Sequence, residues 1–385
     1  MASAPTPTPV AVTPPLSLYI HVPWCVRKCP YCDFNSHAKQ GELPEQHYLA
    51  AILEDLDQDL PYLQQRAIET VFIGGGTPSL MSGDFYHRLF EALANRLTFR
   101  PNAEITLEAN PGTLEAGRFE AFRQAGINRL SIGVQSFNPD HLQVLGRIHD
   151  TGQAHKAIET ARKAGFDNLN IDLMHGLPGQ TPEQAIADLN AALAHQTPHL
   201  SWYQLTIEPN TEFYSRPPSL PDDDRLWEIY RQGGDRLRAA GFRDYEVSAW
   251  AAHGQESRHN LNYWQFGDYL ALGAGAHGKV SLPDGRIVRY WKTRQPDAYL
   301  QRIGSRTAGV DEIDAAERPL EFMMNALRLG DGVPESLYSE RTGLPLSTIA
   351  VKLRQLRDRA LLAPDRLQAT EQGQRYLNSL LEHFL

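Results

Sequence analysis

Residues 17–37 read SLYIHVPWCVRKCPYCDFNSH. A short apolar run, read as a strand over 17–22, stops at Pro23 and opens directly onto Cys25, Cys29 and Cys32. These are the only cysteines in the 385-residue chain. A chain that avoids thiols everywhere else and clusters three of them has set them out for metal chemistry. An odd number in a cytosolic-looking chain argues against a disulfide framework. A structural zinc site needs a fourth ligand, for which His21 or His37 would have to serve. Thiolates select zinc or iron–sulfur clusters. The C-x3-C-x2-C spacing favours a cluster, with zinc as the alternative. Three thiolates on a four-iron cube leave one iron free to take a small molecule.

Outward from this strand, short apolar runs alternate with amphipathic stretches. Strands are expected over 69–73, 104–108, 129–135, 168–173 and 201–207, and helices over 45–65, 83–97, 114–125, 151–164 and 181–194. Repeated βα units imply a parallel sheet with helices outside it. Right-handed crossovers curl six such units into a barrel or part of one. The fold class expected is therefore α/β, a partial parallel (β/α)6 barrel. Special residues sit where those strands end: Cys25 after the first, Gly74–Gly76 and Thr77 after the second, Glu108, Gln135 and Asp172 at the next three. Strand carboxyl ends form the catalytic face of such barrels. One Glu or Gln at a strand end is usually a solvated cap; five strand ends agreeing is not explained that way.

Past Pro209 the pattern changes. A helix is expected over 222–240, followed by the polar and aromatic segment 257–268. YLALGAGAHGKV, with Gly273, Gly275 and Gly278, matches G-x-G-x-x-G literally. It does not lie between a strand and a helix, so a tight turn or close backbone approach is the better reading. From about 311 the chain turns helical (312–329, 334–342, 346–359), then a short hairpin and a helix over 371–381. That order is winged-helix-like. The expected organisation is a disordered Pro/Thr-rich arm at 1–15, a barrel at 16–210, an extension and linker at 211–309, and the helical tail at 310–385.

Formal net charge is -9. Residues 311–385 hold nine Lys and Arg against twelve Asp and Glu. Neither balance suits phosphate binding, so nucleic acid is not the expected partner and the winged-helix shape reads as a packing module. The first fifteen residues contain no Lys or Arg and read as neither signal nor transit peptide. No apolar run of membrane-spanning length occurs. A reducing cytoplasm, or the membrane periphery, is the expected location.

The cysteine spacing together with YIHVPWC strongly resembles the radical S-adenosylmethionine (SAM) superfamily. There the free iron chelates the amine and carboxylate of SAM, and one injected electron breaks a carbon–sulfur bond. The resemblance implies a [4Fe–4S] cluster on Cys25, Cys29 and Cys32. It also implies a low-potential electron donor such as a flavodoxin or ferredoxin. GGGTPS, LEANP, SIGVQSF, LGRIH, IDLMHGLPGQT and HNLNYW narrow it to the oxygen-independent coproporphyrinogen III oxidase family, from about residue 16 into the tail. In that family Tyr19, Gly75, Gly76, Thr77, Glu108, Gln135, Arg147 and Asp172 match positions that contact SAM.

Within the family, the oxidases carry a further Cys two residues after the third ligand, where this chain has Phe34. They also have a longer region ahead of the barrel, whereas 18 residues precede Tyr19 here. RHNLNYW matches the HNxxYW signature of the HemW-type subgroup, whose members are similar to haem chaperones. The resemblance implies haem as ligand, with His259 as candidate ligand, Asn260 orienting its ring, and Tyr263 and Trp264 offering flat faces. His21, His175 and His277 are undifferentiated further candidates. The expected function is haem binding and transfer to acceptor proteins. The runner-up is oxidative decarboxylation of coproporphyrinogen III, and a cluster-sensing regulator is a distant third.

Overall fold

The computed structural model describes residues 13–113 and 116–385. All but the last three positions of the expected Pro/Thr-rich arm lie outside the described residues, as do the first two positions of the helix expected at 114–125. Six strands are parallel neighbours in chain order: β1 (Leu16–Val22), β2 (Ile68–Gly75), β3 (Phe99–Ala109), β4 (Arg129–Gln135), β5 (Asn168–His175) and β6 (His199–Gln204). Strands such as LSLYIHV are buried along nearly their whole length, because helices cover one face and the barrel lumen the other. The first and second helices, α1 (Glu45–Asp59) and α2 (Gly83–Ala94), follow β1 and β2. The helix expected over 45–65 leaves α geometry at Asp59, and Leu60–Leu63 continues as a 3-10 turn. Pro61 has no N–H to carry the α pattern onward. Helices Thr151–Lys163 and Pro182–Ala194 both begin with capping boxes, Asp150 with Gln153 and Thr181 with Gln184.

The sheet runs beyond the six expected strands. On one side come β7 (Arg243–Glu246) and β8 (Ala249–Ala251), with β8 antiparallel to β6. On the other, β9 (Asp268–Leu272) pairs parallel with β1, and β10 (His277–Ser281), β11 (Ile287–Lys292) and β12 (Thr307–Glu312) follow antiparallel. The resulting sheet has twelve strands in an open order, a barrel that is not closed. The glycine-rich segment expected as a tight turn is the β9–β10 connection, with Gly273 and Gly275 at positive φ. Glu312, expected to open a helix, instead closes β12, and the helix starts at Arg318.

The tail has helices Arg318–Ala326, Glu335–Thr342 and Ala350–Asp358, with antiparallel bridges Leu362↔Ala369 and Val333↔Leu367 forming the hairpin. Its core, around Phe322, Tyr338, Leu353 and Leu356, also takes in Phe266 and Ile287 from the sheet extension. No described helix is long and apolar enough to cross a membrane.

One buried ion triad fastens the extension to the barrel. Lys292 on β11 is fully buried and its Nζ lies 2.7 Å from both Asp55 and Asp59 of α1. Burial pushes the Asp59 carboxyl up to about 6, against the pull of Lys292. Lys292→Met would strand two carboxylates in the core, at a cost of about 3–5 kcal/mol. A fall of that size in unfolding free energy, measured by urea titration at neutral pH, is the expected result; an unchanged midpoint would contradict it.

Candidate functional site

The cysteine loop leaves β1 at the carboxyl edge of the barrel. A two-stranded parallel pairing of Trp24–Cys25 with His37–Ala38 closes the loop at its base. Cys25 is buried, while Cys29 and Cys32 are half-exposed, and all three are free thiols. Burial raises the Cys25 and Cys32 thiols, opposed by hydrogen bonds from Thr77 and Ser36 respectively. Among the described residues, no three His, Cys, Asp or Glu side chains gather as one metal ion requires. Cys32 and Cys29 lie close enough for their charges to raise the Cys25 thiol further.

Beside that loop, β2 ends in the glycine run. The Gly76 amide donates to Val22 O and the Thr77 amide to Trp24 O, both at 2.7 Å. Gly75 has φ +114°, and a Cβ there would sit 2.5 Å from the His21 ring. At Gly76 a Cβ would meet the Trp24 carbonyl at 2.6 Å. No side chain fits where the two loops touch, which is the physical reason for the glycines.

Deep in the lumen, Glu108 and Asp172 face one another. Glu108 Oε2 accepts from the Gly75 amide at 3.2 Å. Burial and the Asp172 charge push Glu108 up to about 8, with the Gly75 amide alone opposing. Asp172 is also raised by burial, although Ser131 and Asn170 donate to it at 2.9 and 2.8 Å. Both keep some surface open to the lumen. A carboxyl held this way is an acceptor in want of a cation or hydroxyl donors, and an aminoacyl sulfonium nucleoside carries both. Gln135 sits at φ +71°, a left-handed conformation uncommon for a side chain of its kind, and accepts from the Tyr203 hydroxyl at 2.6 Å. Arg147 donates through Nη2 to Asn110 and to Gly133 O, and its Nη1 lies 3.5 Å from Cys29 Sγ. Tyr19 places its hydroxyl 2.9 Å from His21 Nδ1. The sequence-expected residues thus lie around one mouth. Three others there escaped the sequence reading: Asn35, Asn110 and Tyr203, polar residues whose partners are far away in the chain.

His259 does not behave as expected. Its ring is fully buried, with Nδ1 2.7 Å from Thr70 Oγ1 and Nε2 2.7 Å from the Tyr263 hydroxyl. Its amide donates to Glu104. Both nitrogens are engaged, so in this arrangement neither offers a lone pair to iron, and the candidate ligand is a core histidine. Thr70 and Tyr263, rather than Asn260, orient the ring. Burial, with Arg129 nearby, lowers its pKa to about 3. Tyr263 and Trp264 do face a cleft, an open volume of about 1080 Å³. It extends from Tyr19, Gly75 and Glu108 past Phe34 to His277 and Trp291.

A model of the radical SAM superfamily matches residues 19–192, and one of the HemN C-terminal domain matches 313–376. The heme chaperone HemW of Escherichia coli (strain K12) is 52% identical over 374 residues, covering 97% of this chain and 98% of that one. The heme chaperone HemW of Haemophilus influenzae is 50% identical, covering 97% and 98%. Mouse radical S-adenosyl methionine domain-containing protein 1, mitochondrial, is 38% identical, covering 87% and 78%. Among solved structures, the coproporphyrinogen III oxidase HemN from Escherichia coli, a radical SAM enzyme, aligns with a TM-score of 0.81 at 22% identity. The match covers 97% of this chain and 90% of that one and is a likeness of fold.

The buried His259 ring has a consequence for stability. Its folded pKa of about 3 lies below the ordinary 6.5. Unfolded chains therefore bind its proton first, and the stability it contributes is lost as pH falls below 6.5. His259→Gln should cost about 1–3 kcal/mol at pH 7.5 through its broken hydrogen bonds. The gap from wild type should narrow as pH drops toward 5. Urea midpoints across that range check it; a gap independent of pH would contradict the assignment.

Proposed function

The chain belongs to the HemW-type subgroup of the radical SAM superfamily, and from that premise we propose that it is a haem chaperone. It binds haem and passes it to acceptor proteins while carrying a [4Fe–4S] cluster and SAM. The observation that carries this reading is the cleft. An open volume of about 1080 Å³ edged with aromatic rings suits a flat apolar macrocycle, and it adjoins the cysteine loop.

In this reading Cys25, Cys29 and Cys32 hold three irons. Glu108 and Asp172 accept from the ammonium and ribose hydroxyls of SAM. Gln135, fixed by Tyr203, offers a polar amide to the same ligand. The Gly75–Gly76 backbone takes the methionine end, with Thr77 and Tyr19 beside it. Arg147 serves mainly to steady the loop through Cys29, because its other nitrogen is committed to Asn110 and Gly133. Bound together, the cluster and SAM supply a low-potential electron and a reducible carbon–sulfur bond. An electron donor of flavodoxin or ferredoxin type belongs to this reading.

A second reading, oxidation of coproporphyrinogen III, is favoured by the fold likeness to HemN and by the same carboxylate set. Phe34 counts against it. This aromatic is 62% exposed at the position where the oxidases carry a cysteine.

Reconstituted protein given coproporphyrinogen III, SAM and reductant should yield no decarboxylated porphyrin while saturably binding haem. Robust decarboxylation would install the oxidase reading instead. Anaerobically purified protein should contain iron and sulfide, and zinc without iron would remove the cluster. Glu108→Gln should weaken SAM binding about tenfold or more, the worth of one charge-assisted hydrogen bond, with the cluster's visible absorbance intact. Equal affinity would take Glu108 out of the site.

A further inference from the structure

We infer that His277 is the residue that binds haem iron, with the porphyrin lying in the cleft beside Trp291; this deepens the haem-chaperone reading and rests on it. Two histidines line the cleft, His21 and His277. His21 is unavailable, since Tyr19 lies 2.9 Å from its Nδ1 and the Asn35 carbonyl 2.9 Å from its Nε2. His259 is closed off below the floor of the cleft by Thr70 and Tyr263. His277 is exposed and touches the Trp291 ring in a near-parallel stack, 6.4 Å between centroids at 25°.

The backbone that presents His277 is rigid. It is the first residue of β10, and it follows the turn that Asn35 pins by donating to Ala274 O at 3.0 Å. On its far side the Lys292 amide donates to Ala276 O at 2.9 Å. A ligand held this way costs little ordering when iron binds.

The rest of the cleft suits the remainder of a haem. Phe34 stands exposed, an apolar face that a porphyrin would cover. Lys279 and Lys292 are tied to Asp268 and to the Asp55–Asp59 pair, so they do not compete for propionates. Arg294 is exposed at the rim and uses Nε on Asn35, leaving its terminal nitrogens for a carboxylate. Position suits delivery as well. A ligand at an exposed edge can be exchanged for one on an acceptor, which a ring buried like His259 cannot do without local unfolding.

Full-length protein carrying its cluster is titrated with ferric haem, and the Soret band and electron paramagnetic resonance spectrum are recorded. Wild type is expected to bind saturably with a histidine-ligated spectrum. His277→Ala is expected to lose that signature and at least tenfold in affinity, and added imidazole should restore the signature. Metal-free protoporphyrin IX, which has no iron to ligate, should bind both proteins alike. An unchanged spectrum and affinity in His277→Ala would overturn the assignment, and so would an equal loss of metal-free porphyrin, which would mark a packing role. If wild type itself shows no saturable haem binding, the chaperone reading falls, and the ligand assignment with it.

Discussion

Asn35 is the knot on which the site depends. Its amide nitrogen donates to the carbonyls of Ala274 and Arg294, at 3.0 and 2.8 Å, and its own carbonyl lies 2.9 Å from His21 Nε2. The cysteine loop, the end of β1 and the β9–β11 extension are thereby held at one point. Gly275 has no side chain because a Cβ there would run into Asn35. The β9 pairing and the Lys292 triad join the extension to the barrel, and Asn35 joins it to the cysteine loop. The extension thus becomes the far wall of a cleft whose near wall is the SAM-family mouth. Loss of its amide side chain would leave the Ala274 and Arg294 carbonyls without this donor and loosen the cysteine loop from the extension.

A second constraint works inside the barrel. Parallel strands point alternate residues at the lumen, and polar groups shut away from solvent there must satisfy one another. Ser131, Asn170 and Asp172 form one such set, and Thr70, His259 and Tyr263 another. Glu108 is the member that its neighbours leave short, with its pKa raised to about 8. The paired groups build the floor, and Glu108, with its raised pKa, faces the mouth where a ligand would arrive. The HNxxYW signature divides along the same line. His259 serves the floor, while Tyr263 and Trp264 face the cleft.

Much of this was legible along the chain. The six parallel strands follow from short apolar runs alternating with capped amphipathic helices, and β4 begins and ends where its pattern does. The cysteine loop and the glycine run announce themselves by composition. The sheet extension was not legible, because β9 to β12 are short, β10 and β12 carry glycines, and β9 joins the sheet through β1, far away in sequence. Asn35, Asn110 and Tyr203 carry no local mark of function, since their partners lie far away in the chain. His259 and His277 show the limit most clearly: motif membership singled out one, the other was one undifferentiated candidate among three, and burial separates them.

The amino-acid sequence by itself determined the fold class, the family and the identity of the three thiols, because periodicity, spacing and short motifs are properties of neighbours along the chain. Only the tertiary structure decided which polar groups are already satisfied. That property depends on what packs against each ring nitrogen and carboxylate, and those partners come from distant strands. It closed His259 between Thr70 and Tyr263, raised the pKa of Glu108 at the mouth, and set His277 at the open edge of a cleft that no stretch of sequence describes.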